Sequence, residues 1–338
     1  MVKDTRNIEQ DKEQIFASRL LSDEIFEENY QQKCEENDEL LKDIIELSDD
    51  DFYIREDYIN TEAYARIRSK VSEDPLVFCT NFLRAQKNGL QAKLLEKGIK
   101  SLKDIKNDIE KLSEDGRKLM FLTLRQDPRK QGCDEALMIS YLKSVLPFLN
   151  SQFPPKGGRN SKNIDSDGDT VSSYGVPVDT KSLDAILIYR IPSTNQTITF
   201  DVSMKYIKSS DGGGAQDNQR NDLIKHLKIS RLLPENHHGI GLFAGKYFTE
   251  RRLNDINKME EIDKNKASLV HIKDFGIFCC DFIPKKVQTM ANIDNDIKQY
   301  VNQYFSEIKS AYENLAETFQ SSEINNLQLN ILQTNNLW

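Results

Sequence analysis

Residues 184–206 read DAILIYRIPSTNQTITFDVSMKY, and this stretch decides the fold class that the sequence predicts. Two runs of strand-forming residues, 184–189 and 197–206, flank the turn segment IPSTNQ, which favours a β-hairpin. Side chains alternate between the two faces of a strand. In the second run the apolar residues from Ile198 to Tyr206 should therefore face a core. The alternate residues should form a polar face turned outward: Thr199, Asp201, Ser203 and Lys205.

Around the hairpin, the pattern of apolar residues predicts alternating helices and strands. A helix should begin near Cys133, and a long loop rich in Gly, Ser, Asp and Pro should follow over residues 151–182. After the hairpin we expect a helix over 216–233, a strand over 240–244, a helix over 249–262, a strand region over 268–282 and helices to about residue 320. This order predicts an α/β fold with a mixed β-sheet flanked by helices.

The same pattern divides the chain into three segments. Residues 1–131 should form a helical N-terminal region, residues 132–283 the core with the sheet, and residues 284–338 a C-terminal helical segment. In the first segment, Leu102, Ile105, Ile109 and Leu112 recur at helical spacing behind a cap at Ser101.

Composition limits the classes of function. The 338 residues carry a net charge of -8, but a local basic face matters more for nucleic acid than the whole-chain charge. No run of apolar residues is long enough for a membrane span. The start, MVKDTRNIEQDKEQ, lacks the apolar segment of a secretory signal, and the five cysteines show no paired spacing. We therefore expect a cytoplasmic protein without a membrane partner.

The hairpin also gathers residues that carry chemistry. Asp184 opens the first strand, and the turn can bring it beside Asp201 on the polar face of the second strand. Lys205 lies on that same face. Two carboxylates suit Mg²⁺, which prefers oxygen ligands and keeps waters and phosphate oxygens as further ligands. A lysine beside the metal can stabilise charge that develops on a phosphate.

Three segments, SLDAILIY, TFDVSMKYIKSSDGGGAQDNQRNDL and GIGLFAGKYF, together resemble the PD-(D/E)xK nuclease superfamily, in particular type II restriction endonucleases. The resemblance covers roughly residues 133–283 and implies a restriction-endonuclease-like core that binds Mg²⁺. It implies that Asp184 is the first metal-binding acid and that Lys205 is the catalytic lysine. It further implies that Gln216 is the glutamine at the start of the next helix. Some members place another metal-associated acid on the preceding helix, where this chain has Glu135.

The sequence departs from the family pattern at two positions. Leu183 stands where the family has proline, and Ser203 stands where an acid should lie two residues before Lys205. The second metal carboxylate would then come from Asp201, two residues further back on the same face, or from Glu135. The sequence leaves this choice open.

The function that the resemblance implies is Mg²⁺-dependent hydrolysis of phosphodiester bonds in double-stranded DNA at a specific sequence. The enzyme would be an endodeoxyribonuclease that works as a homodimer or with a second subunit. We expect DNA contacts from basic residues outside the hairpin: Lys225, Lys228, Arg159 and Lys162. One alternative is a repair or recombination nuclease of the same fold. Another is a non-catalytic helical protein that binds DNA or protein.

The sequence also predicts where two further pairs of residues lie. His237 and His238 should stand in a loop over 234–239 and point in different directions. Cys279 and Cys280 should lie on an apolar strand in the core.

Overall fold

The computed structural model describes residues 7–18, 21–49, 53–81, 102–124, 127–129, 132–154, 161–165, 167–172, 182–208 and 214–334. The chain forms two compact units. The smaller unit is Glu27–Cys133, and the larger unit combines Met1–Phe26 with Asp134–Trp338. The predicted domain boundaries at residues 131 and 283 stay a prediction. The larger unit contains the first 26 residues and the C-terminal segment together with the sheet. Arg159 and Ser101 lie outside the described residues.

The first third of the chain is helical in its described parts. Its helices are α1 (Ile8–Phe16), α2 (Asp23–Leu47), α3 (Glu62–Lys70), α4 (75–81), α5 (Leu102–Lys111) and α6 (Glu114–Leu124). The smaller unit has its own apolar core, to which α2 contributes Leu41 and Ile44 and α3 contributes Ile67. Arg66 of α3 makes two hydrogen bonds to the Asp43 carboxylate of α2, at 2.7 and 3.1 Å.

A mixed five-stranded sheet lies at the centre of the larger unit. The strands of the chain are β1 (Asn150–Gln152), β2 (Lys162–Ile164), β3 (Thr170–Ser172), β4 (Ala185–Arg190), β5 (Thr197–Tyr206), β6 (His237–Ala244) and β7 (Ala267–His271). The order in the sheet is β1-β4-β5-β6-β7. β1, β4 and β5 are antiparallel, whereas β5, β6 and β7 are parallel. β2 and β3 form a separate hairpin. The predicted hairpin of β4 and β5 is confirmed.

Helices cover both faces of this sheet. They are α7 (Cys133–Val145), α8 (Gly214–Ile229), α9 (Glu250–Asn257), α10 (Phe275–Thr289) and α11 (Asn295–Thr334). The apolar residues of β5 pack in one core with α7, α10 and α11. α8 and α9 form a second core with residues such as Ile207 and Phe243. The prediction of a mixed α/β fold flanked by helices is confirmed, and in the described residues no helix is long and apolar enough to cross a membrane.

The predicted strand region 268–282 is wrong beyond His271. The residues after it form α10, in which Phe275, Cys279, Ile283 and Val287 are buried at a spacing of four. A short apolar run fits a buried helix as well as a buried strand, so periodicity alone did not separate them. Cys279 and Cys280 are therefore buried on a helix, with Pro284 inside that helix.

Two other expectations about β5 and its neighbour are wrong. The face of β5 that carries Asp201 and Lys205 is buried, because α8 covers it. His237 and His238 are the first residues of β6 rather than part of a loop. They do point to opposite faces, since His237 contacts Asp201 and His238 contacts Ser268. The predicted long loop also contains β2 and β3.

Candidate active site

The carboxyl end of β5 brings Lys205 to Glu135 of α7. The Nζ atom of Lys205 lies 3.8 Å from Oε1 of Glu135. Lys205 is only 7% exposed, so its ammonium group has lost most of its water and requires a charged partner. Glu135 lies in the first turn of α7, where the helix dipole favours a carboxylate. An opposite-charge pair therefore stands at the edge of the sheet.

Asp184 is fixed on the same face of the sheet as Lys205. The pairing of Ala185 with Val202 places the preceding residue, Asp184, opposite Ser203. Its Oδ2 atom accepts a 2.7 Å hydrogen bond from the backbone N–H of Met204 and a 3.4 Å bond from the Ser203 hydroxyl. Asp184 is 4% exposed. The carboxylate is thus held in one orientation, opposite Ser203 and two residues from Lys205 along the strands.

Asp201 belongs to a different group of residues. Its Oδ2 atom lies 2.7 Å from Nδ1 of His237 on β6, and Asp201 is fully buried. Four residues of strand separate Asp201 from Lys205, which is about 13 Å along β5. The structure therefore does not bring Asp201 together with Lys205 and Glu135.

A second imidazole supports the same half of β5. Nε2 of His226 on α8 lies 2.9 Å from the backbone oxygen of Asp201, and the Ser230 hydroxyl donates to the carbonyl of His226 at 2.7 Å. Burial lowers the pKa of His226. Gly239 permits this approach, because a Cβ atom there would lie 1.8 Å from the Ser230 hydroxyl oxygen. The sequence analysis missed His226 and misplaced His237, because neither contact is local in sequence.

Gln216 lies half-buried in the first turn of α8. Within the described residues, its side chain makes no hydrogen bond to Asp184 or Lys205. The first turn of α8 is anchored by Asp217, which accepts a 2.5 Å hydrogen bond from the Tyr247 hydroxyl after β6. Helical spacing places Gln219 on the face of α8 that carries His226, towards β5. Gln219 is therefore a further polar residue on the covering helix.

The predicted DNA contacts do not form one cluster with Lys205. Lys225 is exposed on α8, and Lys228 lies 3.3 Å from Glu261. Lys162 is half-buried at the start of β2. Another exposed lysine, Lys246, follows β6 directly and therefore lies at the same edge of the sheet as the end of β5.

Within the described ranges, no three His, Cys, Asp or Glu side chains are grouped so that they could hold a metal ion. Mg²⁺ needs fewer protein ligands, since one or two carboxylates with waters and phosphate oxygens complete its shell. Asp184 and Glu135 supply two carboxylates from neighbouring elements at this edge. Carboxylate oxygens are of the kind that Mg²⁺ takes from proteins.

Comparisons with protein-family models, with curated proteins and with solved structures found no match to this chain.

Proposed function

We propose that the chain is a Mg²⁺-dependent endodeoxyribonuclease of the type II restriction class, which hydrolyses phosphodiester bonds in double-stranded DNA at a specific sequence. The observation that carries this proposal is the arrangement of Asp184, Lys205 and Glu135 at the carboxyl end of β5. Two carboxylates and one poorly solvated lysine are the groups that phosphodiester hydrolysis with a divalent ion requires.

The order of elements also supports the proposal. A helix with an acid, α7, precedes the antiparallel pair β4 and β5, and Asp184 begins the first of these strands. Helix α8 follows, and β6 returns parallel to β5. This is the order that the resemblance to PD-(D/E)xK nucleases led us to expect, with Lys205 at the predicted position near the end of the second strand.

The side chains have distinct roles in this proposal. Lys205 contacts a phosphate oxygen and stabilises the negative charge that grows there during the attack of water. Glu135 lies 3.8 Å from the Lys205 ammonium group and directs it towards the edge of the sheet. Asp184 and Glu135 would hold Mg²⁺, which supplies Lewis-acid activation of the phosphate and of a water molecule when bound. We leave Asp201 out of the metal site, because it lies about 13 Å from Lys205 along β5.

The test is cleavage of plasmid DNA by the full chain with Mg²⁺ and with EDTA. We expect discrete fragments with Mg²⁺ only, because a sequence-specific enzyme cuts at a limited number of sites. Lys205→Ala should slow cleavage about a thousandfold, as expected when one group that stabilises transition-state charge is removed. Lys285→Ala removes the same charge from an exposed position on α10 and serves as the matched control.

Three outcomes would count against the proposal. Cleavage by Lys205→Ala at the wild-type rate would contradict the site assignment. Degradation without discrete fragments would instead favour a repair or recombination nuclease. Absence of cleavage with Mg²⁺ or Mn²⁺ would favour a non-catalytic protein that binds DNA or another protein.

A further inference from the structure

A cavity of about 530 Å³ lies at the amino end of β5, at the opposite edge of the sheet from Lys205. The strand from Thr197, in the wall of this cavity, to Lys205 is about 26 Å long. The wall is formed by the turn between β4 and β5, by the turn before β6, and by the end of α10 with the residues that follow it. Sites for small molecules commonly have volumes of about 300 to 1,000 Å³. The cavity is therefore large enough for a ligand and is separate from the candidate active site.

Two side-chain carbonyl groups in this cavity can accept hydrogen bonds. Oε1 of Gln196 is buried and receives no hydrogen bond from the described residues. Nδ2 of Asn236 donates to the carbonyl of Thr197 at 3.4 Å, which turns Oδ1 of the same amide away from that carbonyl. Because Thr197 directly follows Gln196, the two amides are neighbours. Buried polar atoms are normally hydrogen-bonded, since an unsatisfied one loses its hydration without compensation. An amino group has two N–H donors and can bond to both oxygens.

Lys286 brings a positive charge to the same cavity from the last turn of α10. It is half-buried, and its ammonium group forms no ion pair with the part of the chain that the structure describes. A partly desolvated ammonium group is stabilised by an anion. On the wall before β6, Glu235 is exposed and can accept from sugar hydroxyl groups, as acidic residues do in nucleotide sites. Met290 adds apolar surface to this polar lining.

We propose that this cavity binds adenosine 5′-monophosphate, either as a free nucleotide or at the 5′ end of a nucleic acid strand. The 6-amino group of adenine donates to Oε1 of Gln196 and to Oδ1 of Asn236. Amide side chains suit adenine, because its edge presents this amino group beside a ring nitrogen acceptor. The phosphate accepts from Lys286, and a single cation suits one phosphate group better than a chain of them. This proposal does not rest on the nuclease function.

Isothermal titration calorimetry of the full chain, in EDTA and without DNA, tests the proposal with matched ligands. Inosine monophosphate has a carbonyl oxygen where adenosine monophosphate has the amino group. It should bind at least about tenfold more weakly, because its oxygen would face two acceptors. Adenosine without phosphate should also bind at least about tenfold more weakly, because the charged contact with Lys286 is lost. Equal affinity for the two monophosphates, or no binding of adenosine monophosphate in the millimolar range, would overturn the proposal.

Variants then assign the two ends of the ligand. Lys286→Ala should weaken binding of adenosine monophosphate about tenfold and leave the affinity for adenosine unchanged. Lys285→Ala removes the same charge from an exposed neighbouring position on α10 and should change neither affinity. Gln196→Ala should remove most of the preference for adenosine monophosphate over inosine monophosphate. The circular dichroism spectrum checks the fold of each variant. Full affinity for adenosine monophosphate in Lys286→Ala would contradict the site.

A dinucleotide of adenosine with a 5′-phosphate separates the two sources of the ligand. An affinity equal to that of adenosine monophosphate would support a strand end, whereas a much lower affinity would support the free nucleotide, and both agree with the proposal. DNA cleavage without nucleotide binding would overturn this proposal alone. Nucleotide binding without DNA cleavage would support it and would count only against the nuclease function.

Discussion

The two halves of β5 both carry buried polar residues, but these residues have different partners. In the amino half, Asp201 is bonded to His237 of β6, and its backbone oxygen is bonded to His226 of α8. At the carboxyl end, Lys205 faces Glu135 of α7 across 3.8 Å, which is longer than a hydrogen bond. The first group contains direct hydrogen bonds, although the Oδ1 atom of Asp201 is buried without a hydrogen-bond partner among the described residues, whereas the second is a charge pair at the edge of the sheet.

This difference shows that position on a strand face does not by itself define a site. Asp201 and Lys205 share one face of one strand, yet the register of neighbouring elements gives them separate partners. A buried group that is held by hydrogen bonds stabilises and specifies a fold. A charge pair at the edge of the sheet can reorganise around a substrate. We therefore expect substitutions in the amino half to change stability and substitutions at the carboxyl end to change activity.

The largest expected effect is on activity, at the acids of the carboxyl end. Asp184→Asn should lower kcat about a thousandfold, because the carboxylate charge that would hold Mg²⁺ is lost while an oxygen remains to accept from Met204. Glu135→Gln should lower kcat by about a hundredfold for the same reason. Asp201→Asn should change kcat little in the folded enzyme. The measurement is single-turnover cleavage at saturating Mg²⁺.

The opposite order of effects on kcat would contradict the distinction between the two halves of β5. If Asp201→Asn lowers kcat as much as Asp184→Asn while Glu135→Gln is active, then Asp201 is the second metal acid. The circular dichroism spectrum of each variant provides the control for folding.

The next effect is on stability, in the amino half. Asp201→Ala should lower the free energy of unfolding by about 3 kcal/mol, because the variant loses a buried hydrogen bond and leaves His237 without its partner. The His237 side chain is 22% exposed. His237→Ala should lower the free energy of unfolding by less than Asp201→Ala if water reaches the Asp201 carboxylate in that variant. Urea unfolding measures both. An unchanged unfolding midpoint for Asp201→Ala would contradict a structural role.

The hairpin could be predicted from sequence because the alternation and the turn are local. Asp184 and Lys205 were placed on one face for the same reason. The partners of Asp201 could not be predicted, since His226 and His237 lie 25 and 36 residues away and reach it only through the fold of α8 and β6. The choice between a second strand and α10 also depended on packing, because that segment is apolar on most sides.

The free energy of unfolding should fall in acid because of the buried imidazoles. Burial lowers the pKa of His238 to about 4, whereas an exposed histidine in the unfolded chain titrates near 6.5. Between these two pH values, the unfolded chain therefore binds a proton at His238 that the native protein does not bind. Stability should be complete above about pH 6.5 and should fall as the pH decreases towards 4, with a loss of about 2 kcal/mol at about pH 5.

His238→Phe should make the free energy of unfolding less dependent on pH in this range. A phenylalanine suits the position, because the His238 ring lies 4.4 Å from the Phe282 ring. His226 shifts in the same direction and should leave part of the dependence in place. Urea unfolding between pH 5 and 7 measures the difference, and identical pH profiles for the two proteins would contradict the assignment.

The smallest expected effect is on DNA binding. Its measurement tests where the DNA lies relative to the two halves of β5. Each lysine that contacts a phosphate releases a counterion, so its removal should reduce the log–log slope of affinity against salt by about 0.9. If DNA lies at the carboxyl end, Lys246→Ala should reduce this slope, because Lys246 directly follows β6 and is largely exposed. Lys225→Ala, further along α8, should leave the slope unchanged. The measurement is a binding titration at several salt concentrations with Ca²⁺ in place of Mg²⁺. A reduced slope for Lys225→Ala alone would place the DNA along α8, as the sequence predicts, and a flat salt dependence for the wild type would argue against phosphate contacts at either place.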